Sequence, residues 1–195
     1  MKILFAFTTL WLVFASCNNN NEAAPDEKAL APKSFFPISE YVKGEIRIVD
    51  SMPIGIMKKI IKANSRDSSF IERPEFHALA SEFTASALDK PNLEAKYTEH
   101  SFLDETTGYY TFTYEPLEAD APYQRIDVLV KPGSSTDKVS SIYLQRSSIQ
   151  NDTFINERLY WKANTSFTIT KEKKYKDQNP VVEQIMVIWD PSAYK

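Results

Sequence analysis

Few residues of this chain are equipped for acid–base, nucleophilic or metal chemistry. Among 195 residues there are two histidines, His77 and His100, and one cysteine, Cys17. Glu99-His100 with Asp104 is the nearest approach to a metal-ligand cluster. Adjacent strand residues point to opposite faces, so Glu99 and His100 do not share one ion, and a site needs three or four converging ligands. No metal is expected. His77, beside Phe76, reads as a helix-flank residue. The Gly-x-Ser-x-Gly elbow of a serine hydrolase is missing. The four glycines, Gly44, Gly55, Gly108 and Gly133, lie too far apart to cradle a phosphate. No cofactor and no enzymatic activity are expected.

Recognition is a better prospect than catalysis. Arg125 and Asp127 alternate with Ile126 and Val128, so both charges share the face opposite the apolar one. Tyr123 and Leu129 fall on that side by the same count. Tyr143, Tyr160 and Trp161 join them if their strands are neighbours. Tyr123, Arg125, Asp127, Tyr143, Tyr160 and Trp161 thus make a candidate polar–aromatic ligand face. The competing reading, a solvated outer face with cross-strand ion pairs, is the commoner outcome for antiparallel sheets.

The elements that position these residues follow from periodicity. Pro37 suits a first helical turn, and Ile38, Tyr41, Val42, Ile46 and Val49 recur at helical spacing to about Asp50. Ile54 to Lys62 reads as a strand, followed by a turn at Asn64–Asp67. A second helix begins near Pro74, with Phe76, Leu79, Ala80, Phe83 and Ala87 on one stripe, and stops at Leu88–Asn92. From Ala95 the period changes to two. Strands are expected over 99–102, 109–115, 124–131, 139–146, 157–162, 166–171 and 181–189, with turn residues between them. The connections are too short for crossover helices, so neighbours are antiparallel. The expected fold is α+β: a meander of six or seven strands, able to curl into a half-barrel, with two N-terminal helices on one face.

The N-terminus carries an address. Lys2 precedes the apolar run Ile3–Phe14, and Phe14-Ala15-Ser16-Cys17 resembles the lipobox of bacterial lipoproteins. In that family the cysteine is cleaved to the new N-terminus and receives diacylglycerol and an acyl chain. Phe14 replaces the usual Leu. Twelve residues span only about 18 Å as a helix, short of the ~30 Å hydrocarbon core, so the run is a signal rather than a permanent span. The expected organisation is a signal peptide over 1–16, a lipidated polar tether over 17–34 and one domain over 35–195. With Cys17 lipidated, no thiol remains for disulfides, zinc or nucleophilic chemistry. The net charge of −3 and the lack of an evident basic patch argue against nucleic acid or anionic headgroups as partners.

Asp104–Tyr114, Leu159-Tyr160-Trp161-Lys162, Val187-Ile188-Trp189-Asp190 and Tyr41–Ile46 resemble segments of uncharacterised Bacteroidota envelope lipoproteins of unknown function. The resemblance implies an outer-membrane location, in the periplasmic or the surface leaflet, and brings no catalytic residues. Asp50-Ser51-Met52 resembles the short Asp-Ser/Thr-apolar O-glycosylation motif of the same bacteria, which marks Ser51. The expected function is a lipid-anchored, non-catalytic binding or assembly module with an envelope protein as partner. The alternatives are a lipid or lipoprotein carrier with an apolar cavity, and an envelope glycan hydrolase with two carboxylates about 5–10 Å apart.

Overall fold

The computed structural model describes residues 35–133, 137–176 and 178–193. The lipobox, Cys17 and the tether lie outside the described residues.

Helix α1, Ile38–Ser51, follows Pro37 and buries Ile38, Val42 and Val49 on one stripe. A hairpin of β1 (Ile56–Lys62) and β2 (Ser65–Ile71) comes next. Helix α2 spans Arg73–Ala80 with a proline in its first turn, and a 3-10 turn, Ser81–Phe83, continues it. A second 3-10 turn, Ser86–Leu88, leads into α3, Lys90–Lys96. Seven strands then follow: β3 Tyr97–Asp104, β4 Tyr109–Pro116, β5 Arg125–Lys131, β6 Lys138–Gln150, β7 Thr153–Lys162, β8 Ser166–Lys174 and β9 Val181–Ile188. All pairings are antiparallel, in the order β2-β1-β9-β8-β7-β6-β5-β4-β3. The N-terminal hairpin thus docks on the last strand, and the sheet stays open between β2 and β3.

Among the described residues nine strands replace the six or seven expected, and the helices are placed differently. Strand β2 went uncounted because Ser65–Phe70 is exposed along its whole length and shows no apolar alternation. Its charged, polar run suits an edge, where it discourages pairing with another chain. The second helix ends at Ala80 instead of continuing to Ala87. The Ser81 and Thr84 hydroxyls turn back onto backbone carbonyls, while Phe83 packs against both Trp161 and Phe167 at 5.2 and 5.3 Å. Leu88–Asn92 does end one segment, but Pro91 sits in the first turn of α3, where it starts the next.

One face of the sheet carries the core. Trp161 stacks on Phe167 at 5.3 Å, Trp189 packs against Trp161 at 5.2 Å, and Phe76 meets Trp189 edge-on at 5.9 Å. The helices supply the rest, with Phe76, Ala80, Phe83, Leu88 and Leu93 all fully buried. Glu45 is buried on α1 and accepts a hydrogen bond from the Asn164 backbone N–H at 2.7 Å, which pins the helix to the β7–β8 turn. The Arg73 guanidinium donates to the Met52 and Ile54 carbonyls, tying α2 to the chain that leaves α1. Among the described residues no helix is long and apolar enough to cross a membrane.

Candidate functional site

The two faces of the sheet are told apart by register. On the helix side, Tyr114, Ile126, Leu144, Leu159, Ile169 and Ile185 stand opposite one another across β4 to β9. On the free side, Thr113, Asp127, Tyr143 and Tyr160 form the matching row. The ladder therefore brings together Arg125, Asp127, Tyr143 and Tyr160, four of the six candidate residues. Asp127 accepts from the Thr113 hydroxyl at 2.8 Å and from Arg125 Nε at 2.6 Å. This pairing raises the Arg125 pKa further, through the hydrogen bond first and the charge second. The Tyr143 hydroxyl donates to Gln145 at 3.1 Å, and Arg158 lies 3.7 Å from Glu172. Tyr160 is 41% exposed at the centre of this face.

Tyr123 and Trp161 do not belong to it. Trp161 follows Tyr160 on the same strand, so alternation turns it into the aromatic core, where it is fully buried. Tyr123 precedes β5, so strand parity does not govern it. Its backbone N–H bonds the Tyr97 hydroxyl at 3.0 Å, and its own hydroxyl faces Arg146 on the helix side. Burial pushes the Tyr123 hydroxyl pKa up, with the Arg146 charge pulling the other way.

Arg146 opens a second arrangement, which sequence reading missed. Arg146, Glu157, Lys171, Glu183 and Lys62 stand in register across β6, β7, β8, β9 and β1, with signs that alternate. Arg146 Nε meets Glu157 at 2.6 Å, Lys171 meets Glu157 at 2.7 Å, and Lys62 meets Glu183 at 3.3 Å. Glu82, from the 3-10 turn after α2, takes the other side of Arg146 at 2.6 Å. Arg146, Glu157, Lys171 and Glu183 each lie two residues from an apolar residue of the core cluster or packed against it, so the row borders the apolar layer. The signal was present as Leu144-x-Arg146, Glu157-x-Leu159, Ile169-x-Lys171, Glu183-x-Ile185 and Ile60-x-Lys62. Only the register unites them.

Burial raises the Glu157 pKa, but hydrogen bonds from Lys171 and Arg146 outweigh it and hold the carboxyl below the ordinary glutamate range. Glu82 and Glu157 share one guanidinium, and the ionised Glu157 has no proton to give at neutral pH. The two carboxyls clamp Arg146 from two sides. The histidines sit apart: His77 bonds Asp50 at 2.9 Å between α2 and α1, and His100 lies 3.7 Å from Glu115. Glu99 and His100 pair with different residues of β4, Tyr114 and Thr113, and so face opposite ways. Among the described residues no three His, Cys, Asp or Glu side chains gather as a metal site. Ser51 is exposed as the last residue of α1, and its hydroxyl donates to the Ile48 carbonyl at 2.7 Å. The layer where a carrier needs an apolar cavity holds Trp161, Phe167, Trp189, Phe76 and Phe83. No family model matches this chain, and neither a curated protein nor a solved structure matches it significantly.

Proposed function

We propose that this chain is an outer-membrane lipoprotein, anchored through Cys17, whose helix-free sheet face binds a protein partner of the cell envelope. One observation carries the reading: the Thr113–Asp127–Tyr143–Tyr160 row, flanked by Arg125, Gln145 and Arg158, lies on the face opposite the helix-covered core. Aromatic rings interleaved with paired charges favour a polar, specific surface, because Tyr and Arg give large contact area together with directed hydrogen bonds. The six-carbon ring of Tyr160 is the natural anchor. The Arg125–Asp127 pair is already oriented, so little side-chain entropy is lost when a partner meets it.

The test uses the full chain in a bacterial envelope. Crosslinking followed by purification should recover a discrete partner with the native chain, and lose it with Arg125→Glu or Tyr160→Ala. Recovery unchanged by both variants would reject this face as the interface. The anchor is tested separately, since Cys17→Ser should release the chain from acyl labelling.

A further inference from the structure

Beyond the charge row, the sheet continues as a finger. The last β5 partner on β6 is Gln145, and the last β1 partner on β9 is Glu183. The strand ends past these points pair only among β6, β7, β8 and β9. At ~3.4 Å per residue, Arg146–Gln150 carries the β6–β7 hairpin about 17 Å beyond Gln145. Asn151 and Asp152 close the hairpin with φ of 47° and 59°, the mirror-image turn whose twist matches its strands.

The finger reverses the polarity expected outside a core. Ile149 is 77% exposed, Val181 50%, Phe154 44%, Val182 42% and Tyr175 39%. Ile149 stands opposite Phe154, and Phe154 opposite Lys174. With Asp152, Tyr175 and Lys176 they line an open depression of about 760 Å³. On the other side Lys173 sits between Ile155 and Val181. Lys173, Lys174 and Lys176 make no ion pair among the described residues, whereas Glu172 beside them is taken by Arg158. Asp152 is the one acid among the described residues that line the depression, and Asp177 follows in the sequence, outside the described residues.

We infer that this finger rests on an anionic lipid bilayer. Ile149, Phe154 and Val181 enter the boundary between headgroups and acyl chains, Tyr175 sits at headgroup level, and the three lysines meet lipid phosphates. Charge selects this end of the molecule. The β3–β4 hairpin also exposes apolar side chains, Phe102 at 67% and Leu103 at 41%, but Asp104 and Glu105 at its turn are repelled by an anionic surface. In the sequence Glu172, Tyr175 and Asp177 interrupt the basic stretch, so it does not stand out as a patch. The structure sets its lysines beside the apolar tips of two hairpins.

The test compares amide hydrogen exchange of the full-length chain on phosphatidylcholine vesicles and on vesicles containing phosphatidylglycerol. Peptides covering 147–156 and 172–182 should exchange several-fold more slowly on the anionic vesicles alone. Lys173→Glu, Lys174→Glu and Lys176→Glu together should abolish the difference, with exchange in β4 and β5 unchanged as the check on folding. Equal exchange on both vesicle types, or protection at 101–112 instead, would overturn the proposal. Acylation carries the chain to both vesicle types, so failure of the Cys17 reading shows as lost flotation on neutral vesicles. Failure of the finger shows as identical exchange on both.

Discussion

Tyr160 and Trp161 are neighbours in sequence with opposite surroundings. Trp161 is fully buried against Phe83, Phe167 and Trp189, while Tyr160 is 41% exposed on the helix-free face. The same contrast holds across the central rows of β4 to β8. The helix side closes around aromatic rings and is bordered by five charges in register. The free side holds its polar residues in short local pairs, such as Arg125–Asp127 and Arg158–Glu172. A face whose residues hold the fold together leaves little freedom for substitution. A face whose residues contribute little to the fold is free to serve a partner, which is why the binding reading is placed there.

The sharpest way to break this comparison is to truncate the two neighbours. Trp161→Ala should cost about 3–5 kcal/mol, the range for removing a large aromatic from a packed core, measured by urea unfolding. Glu45→Ala comes next, at about 1–3 kcal/mol, because the buried Glu45 carboxyl no longer accepts from the Asn164 N–H and α1 loses its tie to the β7–β8 turn. Glu157→Gln should cost about 1–2 kcal/mol at neutral pH, since Arg146 and Lys171 each lose a charged partner in a partly buried setting.

The pH dependence of that third change has a definite sign. The Glu157 carboxyl titrates below its ordinary range in the folded chain, so the unfolded chain takes up its proton first as pH falls. Its contribution is therefore complete above the ordinary glutamate range and disappears through the depressed folded value. Stability of the native chain and of Glu157→Gln should differ most near neutral pH and converge in acid. A gap that widens in acid would mean that the row does not hold Glu157 ionised. Tyr160→Ala should have the smallest effect, under about 1 kcal/mol, as for exposed residues generally.

Much of this fold is legible from periodicity. Helix α1 and the seven strands after Ala95 follow from spacings of 3.6 and 2. What escaped depended on information that a local window does not hold. Ser65–Ile71 has no core to alternate against, so β2 left no apolar pattern. A proline that closes one segment also opens α3, and only the packing of Leu93 decides between them. For the candidate face, alternation correctly grouped Arg125 and Asp127. The same rule applied strictly to β7 separates Tyr160 from Trp161, and Tyr123 lies outside the strand to which the rule applies. The charge row needed the register of five strands, one of which, β1, precedes the other four by more than eighty residues. Its members looked like ordinary surface residues one at a time.

The central claim is that the helix-free face, rather than the helical layer, meets the partner. A photo-crosslinking amino acid placed at Tyr160 and, separately, at Ile48 on α1 tests it directly, since both positions are exposed, at 41% and 47%. The account predicts a discrete crosslinked adduct in the envelope from position 160 and none from position 48. An adduct from position 48 with none from position 160 would contradict it.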